Sequence, residues 1–161
     1  MYNNPTIKVM YRAQCFAAAA GHGPDYDVEN INEPTLIISI SSIDTPVPNV
    51  LERHRKSNRN IIRVVYTQFD DIDSNETING EVPMMPEDAK LIVDAFESCR
   101  SKVTQVIVHC DAGYSRSPAV AAAITKAMGM DDSRYFGHGY CPNMHVYRMM
   151  LQEFANRGYF D

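Results

Sequence analysis

The sequence predicts an α/β protein in which a central, largely parallel β-sheet is flanked by helices. The first observation is that short apolar, β-branched runs alternate along the chain with helical patterns, as in layered α/β folds. The second is residues 104–128, where an apolar strand pattern passes through a short loop directly into a helix pattern. No internal repeat or linker divides the chain, so residues 1–161 are predicted to form one domain.

Four segments have the composition of β-strands. The run at 105–108 is short and β-branched, and it is apolar from Val106 onward, as expected of a strand buried on both faces. The run at 35–40 is mostly apolar, and the segment that follows it contains Pro46 and Pro48, which prevent its continuation. The predicted strands are residues 7–11, 35–40, 61–68 and 105–108.

Four further segments have helical patterns. The third of them begins with Pro118 in its first turn and ends before Gly129, the usual placement of these two residues in helices. The second opens at Pro86 and repeats apolar residues on one face. The predicted helices are residues 13–20, 86–100, 118–128 and 144–157, and surface loops are expected at 25–34, 74–83 and 131–143.

Composition excludes several classes of function. The formal net charge of −5 argues against a general nucleic-acid binder, which would be basic. No apolar run approaches the roughly 18 residues of a membrane span, and the N-terminus does not resemble a signal peptide. The four cysteines show neither paired nor metal-ligand spacing, so we expect a reduced, cytoplasmic protein without a metal site or a cofactor.

The segment between the strand at 105–108 and the following helix is suited to binding an anion. Backbone N–H groups converge at a helix N-terminus, where the helix dipole is positive. Gly113 can adopt backbone angles that other residues disfavour, which helps such a loop to curl around a ligand.

Cys110 and Arg116 add reactivity to this anion site. A cysteine that faces N–H groups and a guanidinium is expected to ionise readily, and a thiolate is a strong nucleophile. Arg116 can bind two oxygens of a phosphoryl group through its planar fork. Ser117 places a hydroxyl near the sulfur, and His109 could orient the loop through a hydrogen bond.

These residues form the pattern His-Cys-x5-Arg-Ser, with glycine three positions after the cysteine. The pattern resembles the signature of the cysteine-dependent protein tyrosine and dual-specificity phosphatases. The resemblance implies a dual-specificity phosphatase-like fold, a phosphocysteine intermediate, and a loop that also takes phosphate, sulfate or vanadate. The matching residues are His109, Cys110, Gly113, Arg116 and Ser117, and the implied phosphate-binding residues are Asp111, Ala112, Gly113, Tyr114, Ser115 and Arg116.

The resemblance also implies a general acid, which in this family is an aspartate on a loop upstream of the cysteine. The only acidic loop at a fitting distance contains Asp70, Asp71 and Asp73. Asp71 is favoured, because family members with an aromatic-acid-acid pattern use the second acid. Asp70 comes next, and Asp73 has the alternative role of capping a turn. Asp71 would protonate the leaving oxygen and then activate water, while Ser117 would help the thiolate to leave.

The substrate class is left open between several candidates. The loop has no basic residue besides Arg116, and Asp111 and Tyr114 do not favour a polyanion, so phosphotyrosine or phosphoserine/threonine of proteins is the preferred prediction. A phosphoinositide, polyphosphate or RNA 5′-phosphatase, a slow phosphate-binding module and a rhodanese-like sulfur transferase are the alternatives. A basic cluster comprises Arg53, His54, Arg55, Lys56, Arg59 and Arg63. The simpler interpretation is that these residues form a solvated face. If they instead form a rim that attracts anionic substrates to the site, the polyphosphate alternative stays open.

A second thiol near Cys110 could trap its oxidised form as a disulfide. Cys15 is the candidate, because it follows the first predicted strand closely, and Cys141 is the alternate. The other interpretation is that both are ordinary half-buried thiols.

Overall fold

A computed structural model describes residues 4–21 and 29–160 of the chain. Residues 22–28, which belong largely to the predicted loop at 25–34, lie outside the described part. The strands are β1 (Thr6–Tyr11), β2 (Thr35–Ser41), β3 (Ile61–Gln68) and β4 (Gln105–Cys110). The helices are α1 (Arg12–Ala20), α2 (Asn49–Ser57), α3 (Pro86–Cys99), α4 (Arg116–Ala127) and α5 (Met144–Asn156), with a short 3₁₀ helix at Ser133–Phe136.

The four strands form one parallel sheet in the order β1-β4-β2-β3. Tyr11 pairs with Cys110 and Ser39 with His109, so the strands next to β4 end beside it at the same edge. The predicted α/β fold with a parallel sheet is confirmed. The carboxyl edge of such a sheet is where ligands bind in open α/β folds, and it is the edge at which β4 runs into the loop before α4.

Helices cover both faces of the sheet, and each face has its own core. Successive strand residues point to opposite faces, so Val108 and Cys110 belong to the core shared with α3, α4 and α5, whereas Ile107 faces the core shared with α1 and α2. Every residue of β2 and β4 is buried, and burial on both faces explains why most of these residues are apolar.

Several elements differ from the sequence prediction. Strand β4 extends to Cys110, two residues past its predicted end, and the 3₁₀ helix lies within the predicted loop at 131–143. Helix α4 begins at Arg116, two residues before the predicted start at Pro118, so Arg116 and Ser117 belong to its first turn. Helix α2 was not predicted, because its sequence is dominated by charged residues and only Leu51 is buried. No helix within residues 4–21 and 29–160 has the length and apolar character needed to cross a membrane.

The position of α2 also settles where the basic cluster lies. The chain leaves β2 at the carboxyl edge, runs through α2, and re-enters the sheet at Ile61, which pairs with Thr35 at the amino edge. Arg53, His54, Arg55 and Lys56 lie in the second half of α2, Arg59 lies in the turn before β3, and Arg63 lies near the start of β3. Most of the cluster therefore lies toward the amino edge. This placement favours the interpretation of the cluster as a solvated face over that of a rim around the carboxyl-edge loop.

Candidate active site

Residues 110–116, called here the 110–116 loop, connect β4 to α4 at the carboxyl edge of the sheet. Cys110 is the last residue of β4 and only 2 % exposed. Gly113 has a φ of +67°, and a Cβ at this position would lie 2.8 Å from the backbone of Met10 and Tyr11. Only glycine fits here without displacing β1, because both the backbone angle and the close approach exclude a side chain.

The Cys110 sulfur lies 3.0 Å from the hydroxyl oxygen of Ser117, which is fully buried in the first turn of α4. A hydroxyl at this distance can donate a hydrogen bond to a thiolate. Such a bond stabilises negative charge on sulfur, both in the free thiolate and when the thiolate is a leaving group. The structure therefore brings the predicted pair Cys110 and Ser117 together.

Arg116 is buried, and its guanidinium is fixed by three hydrogen bonds. Nη1 donates to the Phe69 carbonyl at 2.8 Å and to the Ser42 hydroxyl at 3.1 Å, while Nη2 donates to Asp111 Oδ2 at 3.1 Å. Its Nε is buried and has no partner among the described residues. An unpaired buried donor is costly, so a guanidinium held this way is prepared for an acceptor from a bound anion.

His109 is fully buried beneath the loop. Its Nδ1 lies 3.2 Å from the Cys110 carbonyl, and its Nε2 lies 2.7 Å from the Ser39 hydroxyl. A carbonyl can only accept, so Nδ1 carries the proton and Nε2 accepts from Ser39. Burial lowers the pKa of His109 to about 4, which keeps the ring neutral. His109 therefore orients the Cys110 backbone and carries no charge into the site.

This buried histidine predicts a specific loss of stability in acid. The pKa of His109 is about 4 in the folded chain and about 6.5 when unfolded, so protons bind preferentially to the unfolded state. The stabilising contribution is complete above about pH 6.5 and is lost as the pH falls toward 4, at a cost of about 3 kcal/mol. Urea unfolding between pH 4 and 7 gives the free energy of unfolding at each pH. We expect its fall toward acid pH, called here the acid limb, to be shallower for His109→Asn than for the natural protein.

The control for this experiment is His138→Asn, because His138 is exposed and has a φ of +57°, which asparagine tolerates. This control is expected to retain the acid limb of the natural protein. Equal acid limbs in the His109→Asn variant and the natural protein would contradict the assignment.

Asp71 is the acidic residue that faces the loop. Its Oδ1 accepts hydrogen bonds from the Ser115 hydroxyl and the Asn143 side-chain amide, both at 2.8 Å. Asn143 is buried at the start of α5, and its backbone N–H also donates to the Ser115 carbonyl. The Asp71 carboxylate is thus held against the 110–116 loop by groups from the loop itself and from α5.

The two neighbouring aspartates are engaged elsewhere. Asp70 is largely buried and accepts from the backbone N–H groups of Ile43 and Val82, at 3.1 and 2.8 Å, so it joins two connecting segments. Asp73 accepts from the N–H of His145 at 2.7 Å, in the first turn of α5. Unpaired N–H groups in a first helical turn are usual partners of such a carboxylate. Of the three candidates, Asp71 alone contacts a residue of the 110–116 loop through its side chain.

The comparisons with known proteins give a similarity in structure alone. No protein-family model matches the chain, and no curated protein matches it. Three crystal structures align over 94 % of this chain. The chain has the fold of protein tyrosine phosphatases.

The first of these structures is Tk-PTP in its active form, with a TM-score of 0.56, 14 % identity and 90 % of its chain covered. The second is the Cydia pomonella phosphatase PTP-2, with a TM-score of 0.55, 14 % identity and 90 % coverage. The third is PTPMT1 in complex with PI(5)P, with a TM-score of 0.55, 11 % identity and 94 % coverage. At these identities the similarity describes the fold.

Three residues of the site were not predicted from the sequence. Ser42 follows β2 at the carboxyl edge, donates to Asp111 at 3.1 Å and accepts from Arg116. Asn143 holds Asp71, and Ser39 donates to His109. A polar residue just after a buried strand was the available signal for Ser42, and an asparagine before a helix was the signal for Asn143.

The remaining predicted loop residues lie at the mouth of the site. Asp111 is about half exposed and binds Arg116, while Tyr114 is 51 % exposed and points away from the core. The structure places Ala112 between them on the same exposed loop. Within residues 4–21 and 29–160, no three His, Cys, Asp or Glu side chains are arranged to hold a metal ion.

The two candidate redox cysteines have different positions. Cys15 is fully buried in the core on the opposite face of the sheet from Cys110, and burial raises the pKa of its thiol to about 12. It is therefore a core thiol on the far side of the sheet, more buried than the half-buried thiol of the second interpretation. Cys141 is exposed, and its N–H donates to the Tyr114 carbonyl at 3.0 Å, so its backbone adjoins the loop.

Proposed function

We propose that this protein is a cysteine-dependent phosphatase, with one catalytic domain over residues 1–161, that hydrolyses phosphomonoesters through a phosphocysteine. The observation that carries the proposal is the convergence of three groups on the 110–116 loop. Cys110 lies at its base with a hydroxyl 3.0 Å from the sulfur, Arg116 presents an unpaired Nε, and Asp71 is bound to Ser115. A nucleophile, an anion clamp and a proton donor are the groups that this reaction needs.

The first step follows from this arrangement. The Cys110 thiolate attacks phosphorus in line, so that an S–P bond forms as the P–O bond of the ester breaks. Arg116 and the N–H groups of the loop bind the three non-bridging oxygens, which carry the negative charge of the transferred group. Asp71, in its protonated form, gives its proton to the departing oxygen, which would otherwise leave as an unstable alkoxide or phenoxide.

The second step releases phosphate. Asp71, now a carboxylate, accepts a proton from a water molecule while the water oxygen attacks phosphorus. The S–P bond breaks, and the electron pair returns to the Cys110 sulfur. The Ser117 hydroxyl donates to that sulfur and stabilises it as the leaving group.

The preferred substrate is a phosphorylated protein, on tyrosine, on serine or threonine, or on both. Arg116 is the only basic residue of the 110–116 loop, and the carboxylate of Asp111 already occupies its Nη2. A second phosphate close to the first would meet that carboxylate. Most of the α2 basic cluster lies toward the other edge of the sheet, so it offers little attraction to a polyphosphorylated ligand at the loop.

The test is a substrate screen with the Cys110→Ser variant as the blank. Phosphotyrosine and phosphoserine/threonine peptides are compared with inositol phosphates and an RNA 5′-triphosphate, by release of inorganic phosphate. We expect release from the phosphopeptides that disappears in the blank. Release that persists in the blank would refute the phosphatase proposal, and release confined to inositol phosphates or RNA would refute the protein substrate.

A further inference from the structure

A second cation, Arg12, lies beside the 110–116 loop. Arg12 is the first residue of α1 and follows Tyr11, which pairs in register with Cys110. Its backbone N–H donates to the Asp111 carbonyl at 3.2 Å. Its Nη1 lies 3.4 Å from the hydroxyl of Ser41 at the end of β2, so the side chain reaches from β1 across the end of β4. The guanidinium is thus placed at the edge of the sheet that carries the loop.

The charge of Arg12 has no acidic partner in the part of the chain that the structure describes. The side chain is half-buried, and its one polar contact with the described residues is the long hydrogen bond to Ser41. Its Cζ also lies 5.0 Å from the centre of the Phe16 ring. The carboxylate of Asp111 is paired with Arg116 instead. An arginine has five N–H donors, and most of those on Arg12 have no acceptor among residues 4–21 and 29–160.

We propose that Arg12 forms a second anion-binding subsite, which takes the carboxylate of an acidic residue next to the phosphorylated residue of a protein substrate. This inference rests on the proposed function and narrows its substrate class to phosphopeptides with an adjacent aspartate or glutamate. A single guanidinium fork matches one carboxylate. The half-exposed carboxylate of Asp111 disfavours a ligand with several phosphates at the same place.

A purely structural role for Arg12 makes a different prediction. Its guanidinium packs on Phe16, and Phe16 packs edge-on against His109, with ring centres 5.9 Å apart. If Arg12 only supported this stack, its loss would lower the turnover of every substrate by the same factor. An anion subsite instead changes the preference between substrates that differ in a neighbouring charge.

The experiment compares two phosphotyrosine peptides that differ only in the residues flanking the phosphotyrosine, glutamate in one and alanine in the other. The ratio of their kcat/KM values is measured for the natural protein, Arg12→Gln, Arg12→Lys and Arg59→Gln. Arg59 is exposed in the turn before β3, so Arg59→Gln makes the same change of charge far from the loop. We expect a preference of about tenfold for the glutamate peptide, the typical effect of one charge-assisted hydrogen bond.

Arg12→Gln is expected to abolish this preference, mainly through KM, and Arg59→Gln to retain it. Arg12→Lys is expected to retain part of it, because the charge remains but the fork is lost. The preference should also shrink as salt is raised, since part of it is electrostatic. If Arg12→Gln lowers kcat/KM for both peptides by the same factor, the proposal is overturned in favour of the structural role. Selective loss of inositol phosphate turnover in this variant would overturn it in favour of a second phosphate.

A binding measurement separates this proposal from the proposed function. Calorimetric titration of the Cys110→Ser protein with the two peptides reports the charge preference without any turnover. A preference that Arg12→Gln removes would support the subsite even if the natural protein hydrolysed neither peptide. Equal affinities for the two peptides in the Cys110→Ser protein would overturn the subsite even if the natural protein were an active phosphatase.

Discussion

Replacing Cys110 by serine is expected to abolish phosphate release while leaving the anion site intact. A serine hydroxyl at this position is a far weaker nucleophile than a thiolate, and no other side chain of the described site can form the covalent intermediate. Removing the nucleophile of a covalent hydrolase costs on the order of 10⁵-fold or more in turnover. The substitution changes little else, because the Ser117 hydroxyl, 3.0 Å from the sulfur, can hydrogen-bond a hydroxyl as well.

Two measurements check this prediction. Single-turnover assays on an aryl phosphate report the loss, and titration with vanadate or phosphate reports the intact site. Cys99→Ser is the matched control, because Cys99 is also buried but lies in α3, away from the loop. We expect Cys99→Ser to retain turnover. A Cys110→Ser protein that still releases phosphate, or that no longer binds vanadate although it is folded, would contradict the proposed roles of the loop.

Much of the fold could be predicted because the signals are local. β2 and β4 are apolar and β-branched, and this composition reflects burial on both faces of a parallel sheet. Helix α2 was missed because only Leu51 of its nine residues is buried, so its apolar periodicity is too short to recognise. The predicted start of α4 was two residues too late. The prediction took Pro118 as the first residue of the helix, but it is the third.

The site divides in the same way between local and distant contributions. The residues of the 110–116 loop are contiguous, so their order and spacing can be read from the sequence. They could therefore be predicted as site residues. Ser42 and Asn143 come from segments 74 and 72 residues away from their partners Arg116 and Asp71. Nothing in a single sequence shows that such residues meet. The choice among Asp70, Asp71 and Asp73 likewise depends on which carboxylate faces the loop.

Asp71→Asn is expected to lower turnover of alkyl and ordinary phenyl phosphates by roughly 10² to 10⁴, the span of general acid catalysis. Asparagine can keep the hydrogen bond from Asn143 or Ser115 through its side-chain oxygen, so the loop should stay in place. What it cannot do is give a proton to the departing oxygen. The loss should therefore reflect chemistry and leave the binding of phosphate to the loop almost unchanged.

The neighbouring aspartates provide the matched comparison. Asp70 accepts from Ile43 through one oxygen and from Val82 through the other, and Asp70→Asn replaces one of these acceptors by an NH₂ group. We therefore expect lower stability and a milder loss of turnover. Asp73→Asn weakens the start of α5 and should have the least effect on turnover. Thermal unfolding, measured alongside the rates, separates these effects on stability from an effect on the reaction.

The decisive measurement is how each loss depends on the leaving group. A leaving phenol that is already acidic needs little protonation as it departs, so it depends little on a general acid. The loss caused by Asp71→Asn should therefore shrink as the leaving phenol becomes more acidic, whereas a structural defect lowers all substrates alike. If Asp70→Asn shows this dependence and Asp71→Asn does not, the acid is the preceding residue. If none of the three variants shows this dependence, the proton comes from another group. The protein is then better described as a slow phosphate-binding module, in which Arg116 binds the anion but Asp71 does not act as the acid.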